Sequence, residues 1–201
     1  MRPIPRCLYI TDLKRTGEAR LRQVVAAGCA AGVDGVLLRE PDMDSGKLLA
    51  LAAELRIITR EHHAQLIIHS AADTARAIAA DGLHLSAADI DEAVAIRRWL
   101  HTLPITISTS CHSATELQRA VECGCSFALL SPIFATASHP ERQPLGVERF
   151  QHLAAATPID VIALGGITTE NRHQLNNHPI AAMRAIDEAK DTAQAVTLLN
   201  Q

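Results

Sequence analysis

Ten histidines are distributed along the 201 residues of the chain, and four of them, His69, His84, His112 and His139, stand at or just beyond the ends of short apolar runs. Imidazole titrates near neutral pH, so a histidine at the mouth of a cavity can give or take a proton. His112 and His139 are the acid/base candidates. The plainer alternatives stay open: His112 as a helix-start residue bonded to its own turn, His139 as part of a solvated polar loop. Two guanidinium groups, Arg39 and Arg184, can grip an anion with paired donors. Gly165-Gly166 carries a mechanism of its own. Without side chains, the N–H groups of Gly165, Gly166 and Ile167 can close on a phosphate, and a helix starting behind them would present its positive end. The same pair also makes an ordinary turn. Ser110, Thr136 and His69 offer polar groups for the rest of a substrate.

The acids are sparse. Asp89 follows one apolar run, and Asp12, Glu40 and Asp187 follow others, but no H-x-H or carboxylate-rich pattern accompanies the histidines, as a metal-dependent barrel hydrolase would want. The five cysteines, Cys7, Cys29, Cys111, Cys123 and Cys125, contain no C-x-x-C pair and are expected as reduced thiols. A net charge of −3, scattered basic residues and 2% aromatics give neither the electrostatic footprint nor the stacking platforms of a nucleic-acid binder. No uncharged stretch is long enough to cross a bilayer and no apolar leader follows Met1. A cytoplasmic protein is expected, with no nucleic-acid or membrane partner.

These residues need elements to hold them. Apolar or β-branched runs occur at Cys7 to Thr11, Gly35 to Glu40, Gln65 to Ser70, Gly82 to Ser86, Ile105 to Cys111, Ser126 to Pro132, Val161 to Gly166 and Ile180 to Asp187, and they read as strands. Amphipathic segments alternate with them: Glu18 to Ala31, Gly46 to Glu61, Ala72 to Ala80, Ile90 to Leu100, Ala114 to Cys123, Val147 to Ala156 and Thr169 to Asn176. Ser113, Asp89 and Thr168 or Thr169 stand where N-caps belong. The predicted fold is α/β, a single (β/α)8 TIM barrel over residues 1–201. A doubly wound open sheet competes, but the first βα turn, Asp12-Leu-Lys-Arg15, lacks the glycine fingerprint of a dinucleotide site. In such a barrel the chemistry sits at the C-terminal ends of the strands and the loops that follow, where the candidate site residues named above fall.

The motifs Tyr9-Ile-Thr-Asp12, Leu37-Leu-Arg-Glu40, Asp81-Gly-Leu-His-Leu85, Ser110-Cys-His-Ser113 with Glu116, Ser131-Pro-Ile-Phe-Ala-Thr136 and Ala163-Leu-Gly-Gly-Ile167 occur in order along the chain. Together they resemble the thiamine phosphate synthase family, including its TenI-type branch. The resemblance implies a barrel that binds a phosphorylated thiazole or a related heterocycle, with its phosphate on Gly165, Gly166 and the strand-eight end. Family synthases join the thiazole to a pyrimidine diphosphate, with Mg2+ on the leaving pyrophosphate.

The sequence departs from the synthase pattern at several points. The Gln-x-Arg-x-Lys expected after strand two reads Leu37-Leu-Arg39-Glu-Pro41, the Asn-Asp after strand three reads His69-Ser70, and the lysine of the strand-six loop is His139. Asp89 is the surviving acid, a metal ligand only if Mg2+ is used. Arg184 stands where a small hydroxyl residue is usual, and Pro179 replaces a glycine. TenI-type tautomerases move a proton and need no pyrophosphate site, although their strand-six histidine reads Pro132 here. The expected activity is therefore a metal-independent thiazole tautomerase requiring no cofactor, with His112, His139 and Arg39 as the catalytic set. Gly165, Gly166, Arg184, Ser110, Thr136 and His69 would bind substrate. The alternatives are a thiamine phosphate synthase using Mg2+, and a non-catalytic binder or an enzyme of another phosphorylated heterocycle. Family members commonly associate, so a homo-oligomer is an expected state.

Overall fold

A computed structural model describes residues 3–137 and 141–201. Eight strands run β1 (Cys7–Ile10), β2 (Gly35–Leu38), β3 (Gln65–His69), β4 (Gly82–Leu85), β5 (Thr106–Cys111), β6 (Phe127–Leu130), β7 (Asp160–Leu164) and β8 (Ile180–Ala182). Each pairs in parallel with the next, and β1 pairs with β8, so the sheet closes into a barrel. The open-sheet alternative is excluded by that closure. Around it pack α1 (Leu13–Thr16), α2 (Glu18–Ala30), α3 (Ser45–Glu61), α4 (Ala72–Ala77), α5 (Ala93–Trp99), α6 (Ala114–Glu122), α7 (Val147–Ala156), α8 (Arg184–Asp187) and α9 (Thr192–Leu199). None of the helices of the described residues is long and apolar enough to cross a membrane.

The period of two along each strand sorts the core into two layers. Leu8, Ile10, Leu37, Ile67, Phe127, Leu129, Ile162 and Ala181 form a cluster inside the barrel. Their neighbours, among them Tyr9, Val36, Leu38, Leu66, Ile68, Leu83 and Leu85, face the helices. Continued past the apolar interior, the inward parity falls on Arg39, His69, His84, Ser110, His112 and Ser131. The barrel floor is closed by apolar side chains and its C-terminal mouth is left polar. Between the layers, Arg56 of α3 reaches Asp81, with side chains only 10% and 1% exposed. Arg56 also donates to the Ala79 carbonyl at 2.8 Å, and Asp81 accepts from the Leu66 N–H at 2.8 Å.

Several local expectations change. The run from Ile180 to Asp187 is strand only to Ala182; the chain turns at Met183, whose carbonyl accepts from the N–H groups of Ile186 and Asp187 at 3.0 and 2.9 Å. Asp187 therefore leaves the barrel mouth and accepts a hydrogen bond from the buried Tyr9 hydroxyl. Thr169 to Asn176 holds no full helix, only a 3-10 turn from Arg172 to Leu175. Asp89 is not an N-cap but lies inside a 3-10 segment, Ala87–Glu92, that leads into α5. Ser113 does cap α6, its Oγ accepting from the Glu116 N–H at 3.2 Å. All five cysteines are free thiols.

Candidate active site

A cavity of about 850 Å3 opens at the C-terminal end of the barrel. Of the residues expected from the sequence, it brings together Arg39, His69, Ser110, His112, Thr136, Gly165, Gly166 and Arg184. His139 lies outside the described residues. Asp89 is not on the cavity wall, though Ser86, which donates to it at 2.7 Å, is.

On the β7 side, the glycine pair is required by packing as well as by any ligand. Gly165 and Gly166 have φ of +101° and +67°, a region that costs side-chain-bearing residues about 1–2 kcal/mol. A Cβ on Gly165 would stand 2.7 Å from Pro132 Cα, and one on Gly166 would strike the Ala135 carbonyl oxygen. The β6 loop is held against them by bonds from Ile133 N–H to Leu164 O and from Phe134 N–H to Gly165 O, both 2.9 Å. Both readings of the pair therefore hold at once: it is a tight junction, and the N–H groups of Gly165, Gly166 and Ile167 donate to no described residue. The expected helix dipole behind it is missing, because the Arg172–Leu175 turn is too short and starts too late. Positive charge comes instead from Arg184, whose Nε is buried without a hydrogen-bond partner among the described residues.

Across the mouth, Arg39 is fixed through its backbone. Its N–H donates to Thr11 Oγ1 at 3.0 Å, Thr11 donates to Glu40 at 2.6 Å, and Glu40 accepts from the Leu13 N–H at 3.0 Å. Burial raises the Glu40 pKa above its ordinary value. The Arg39 guanidinium is left facing the cavity, and together with burial it lowers the basicity of His69. His84 sits deeper. Its Nδ1 lies 2.9 Å from Ser108 Oγ and its Nε2 2.9 Å from Ser110 Oγ. Burial, followed by the charges of His69 and Arg39, pushes its pKa down to about 3.

The plainer reading holds for the His112 backbone, whose N–H donates to Glu116 of its own turn, while the ring is oriented by Ser131 at the end of the neighbouring strand. Its Nδ1 lies 2.8 Å from the Ser131 carbonyl, which can only accept, so this network assigns the proton to Nδ1. In the neutral ring Nε2 is then bare, and it has no partner among the described residues. Sequence reasoning counted Ser108 among the polar residues at the end of strand five but gave neither it nor His84 a role. The inward slot of Gly82-Leu-His-Leu85, a polar residue among apolar ones, was the available signal. Arg142, also on the cavity wall, carried no signal, because it lies in a loop without periodicity.

Mg2+ takes six oxygens in near-octahedral geometry, one or two of them from carboxylates. The Asp89 carboxylate is set back from the wall and already engaged by Ser86, and the wall offers an imidazole, His69, where a second carboxylate would complete a pair. Asp12 is committed to Arg15, at 3.5 Å, and to capping α1. Among the described residues, no three His, Cys, Asp or Glu side chains converge. The donor set does not fit a protein-built Mg2+ site.

A closed parallel barrel with helices between its strands and a polar cavity at its strand C-terminal ends defines the class of (β/α)8 barrels. The particular family follows from comparison: residues 7–188 match the family model described as thiamine monophosphate synthase, and the chain belongs to that family. It is 34% identical to the thiamine-phosphate synthase of Methanoregula boonei, over 81% of this chain and 74% of that one. With the thiamine-phosphate synthase of Chromobacterium violaceum it shares 32%, over 96% and 93%. Identity reaches 38% with an Aquifex aeolicus homologue, over 83% of this chain and 88% of that one. The barrel superposes on thiamine phosphate pyrophosphorylase from Pyrococcus furiosus with a TM-score of 0.85, covering 96% of this chain and 93% of that one; at 23% identity this likeness concerns the fold.

Proposed function

We propose that the chain joins a thiazole phosphate to hydroxymethylpyrimidine diphosphate, forming thiamine phosphate. The relatives reported above carry the synthase name, which favours this reading over the tautomerase expected from the sequence. The observation that carries it is one cavity lined by cationic groups from separate strand ends: Arg184 with the Gly165-Gly166 N–H groups after β8 and β7, Arg39 after β2, and Arg142 from the β6 loop. Its 850 Å3 lies in the upper part of the roughly 300–1,000 Å3 range of small-molecule sites, more than a single phosphorylated thiazole fills.

The thiazole nitrogen attacks the methylene carbon of the pyrimidine while the bond from that carbon to the diphosphate oxygen breaks. Thiamine phosphate and inorganic pyrophosphate result. Gly165, Gly166 and Arg184 hold the thiazole phosphate. Arg39 and Arg142 hold the diphosphate and neutralise the charge that grows as it leaves, the dominant demand of such a step. The test incubates the chain with both substrates, with and without Mg2+, and follows products by 31P NMR and chromatography. Thiamine phosphate and pyrophosphate appearing together, and slowed in Arg39→Gln, support the reading; absence of both products with and without Mg2+ alike overturns it.

One observation favours a second reading. The bare Nε2 of His112 is a general base positioned at the cavity, which is what a thiazole tautomerase needs. Proton NMR of the non-aromatic thiazole carboxylate phosphate, without pyrimidine diphosphate, tests it. Aromatisation accelerated by the chain and lost in His112→Asn favours the tautomerase; a rate equal to buffer eliminates it.

A further inference from the structure

Strands β4 and β5 lie in register with His84 opposite Ser108. Ser108 and Ser110 are two residues apart and share the inward face, so the His84 ring spans both hydroxyls. Ser110 lines the cavity, whereas Ser108 is 1% exposed and takes no part in its wall. We propose that Ser108 is a positioning residue: it fixes the tautomer of His84 and thereby makes Ser110 a hydroxyl donor aimed into the cavity.

The polarity follows from bond lengths and the donor inventory. His84 is buried at 2% exposure and stays neutral at working pH, so one ring nitrogen donates and the other accepts. Ser108 Oγ has two acceptors in reach. The Leu83 carbonyl is 3.5 Å away, at the outer limit of a hydrogen bond, and His84 Nδ1 is 2.9 Å away. The Ser108 hydroxyl therefore donates to Nδ1, the ring proton resides on Nε2, and Nε2–H donates to Ser110 Oγ at 2.9 Å. Having accepted this bond, Ser110 turns its own proton to the cavity.

The opposite polarity would commit that proton to His84 and show a ligand only lone pairs. The two states differ in what they recognise. A donating Ser110 suits a ring nitrogen or a phosphoryl oxygen, the acceptor groups of a phosphorylated heterocycle, and it disfavours an N–H or protonated group at the same point. The identity of Ser110's ligand rests on the proposed function; the tautomer of His84 does not.

The test is two-bond 1H–15N correlation NMR on the full chain with 15N-labelled histidine, the His84 ring being assigned by its loss in His84→Gln. The expected pattern is a single Nε2–H tautomer from pH 7 to pH 5. Ser108→Ala removes the donor to Nδ1 and shifts the ring toward Nδ1–H, while Ser108→Thr, which keeps a hydroxyl, retains the original pattern. An Nδ1–H tautomer in the unaltered chain, or an Nε2–H pattern unchanged in Ser108→Ala, overturns the proposal. In the coupling assay Ser108→Ala lowers kcat about tenfold, the worth of one neutral hydrogen bond, with KM for the thiazole phosphate little changed. If the chain couples nothing, the proposed function fails and the spectra still decide the role of Ser108.

Discussion

Arg184→Met separates binding from stability at the strand-eight end, because the two effects carry opposite signs. In the free protein, Arg184 Nε is buried without a partner, and an unsatisfied buried donor costs about 1–3 kcal/mol. Methionine fills similar space without that donor, so folding stability stays level or rises, and the melting temperature moves up by as much as a few degrees at about 2–4 °C per kcal/mol for a chain of this size. A ligand phosphate supplies the missing acceptor. Losing one charge-assisted bond, worth about 1.5–3 kcal/mol, weakens binding about 10- to 150-fold. Isothermal titration with thiazole phosphate and with its dephosphorylated alcohol measures this difference directly. The loss must appear with the phosphate and be nearly absent with the alcohol. Equal loss for both ligands, unchanged phosphate affinity, or a fall in melting temperature would refute the assignment of Arg184 to the phosphate.

Gly166→Ala should destabilise by about 2–4 kcal/mol, combining the positive φ with a Cβ forced against the Ala135 carbonyl and within 2.8 Å of Phe134 Cβ; urea unfolding reads the change. Arg56→Met removes the guanidinium from a buried ion pair with Asp81 and should cost about 3–5 kcal/mol, lowering the melting temperature by about 6–20 °C as seen by circular dichroism. For His84 the folded pKa, about 3, lies below the ordinary 6.5, so the unfolded chain takes up the proton first. Its contribution is complete above pH 6.5 and declines as pH falls toward 3, at about 1.4 kcal/mol per pH unit. Subtracting the stability profile of His84→Gln from that of the unaltered chain isolates this slope; a flat difference over that window contradicts the burial of a neutral ring.

The strands were legible because a closed parallel barrel buries both faces of each one, so Cys7 to Thr11 or Ser126 to Pro132 reads as an apolar run whatever its neighbours. Once their order was set, the barrel's rule for strand ends located Arg39, His69, Ser110, His112 and the Gly165-Gly166 pair, and the structure gathers all of them around one cavity. The eighth run was overextended because Met183, Ala185 and Ile186 prolong the apolar composition of Ile180 to Ala182. Only the turn at Met183, set by hydrogen bonds to its carbonyl, sends Asp187 away to Tyr9.

Residue type and the alternation of apolar runs with amphipathic segments determined the barrel and a polar, cationic mouth, since both faces of each strand are buried and the polar residues gather at the strand ends. Direction and pairing were decided by the tertiary structure. It gave His112 a bare Nε2 through Ser131, joined His84 to Ser108 and Ser110, and left Arg184 Nε without a partner while committing Asp12 to Arg15. The three hydrogen bonds turn on separations of about 3 Å between residues distant in sequence, and hydrogen bonds fall off within an ångström of that length, a precision that only the closed sheet and its register supply.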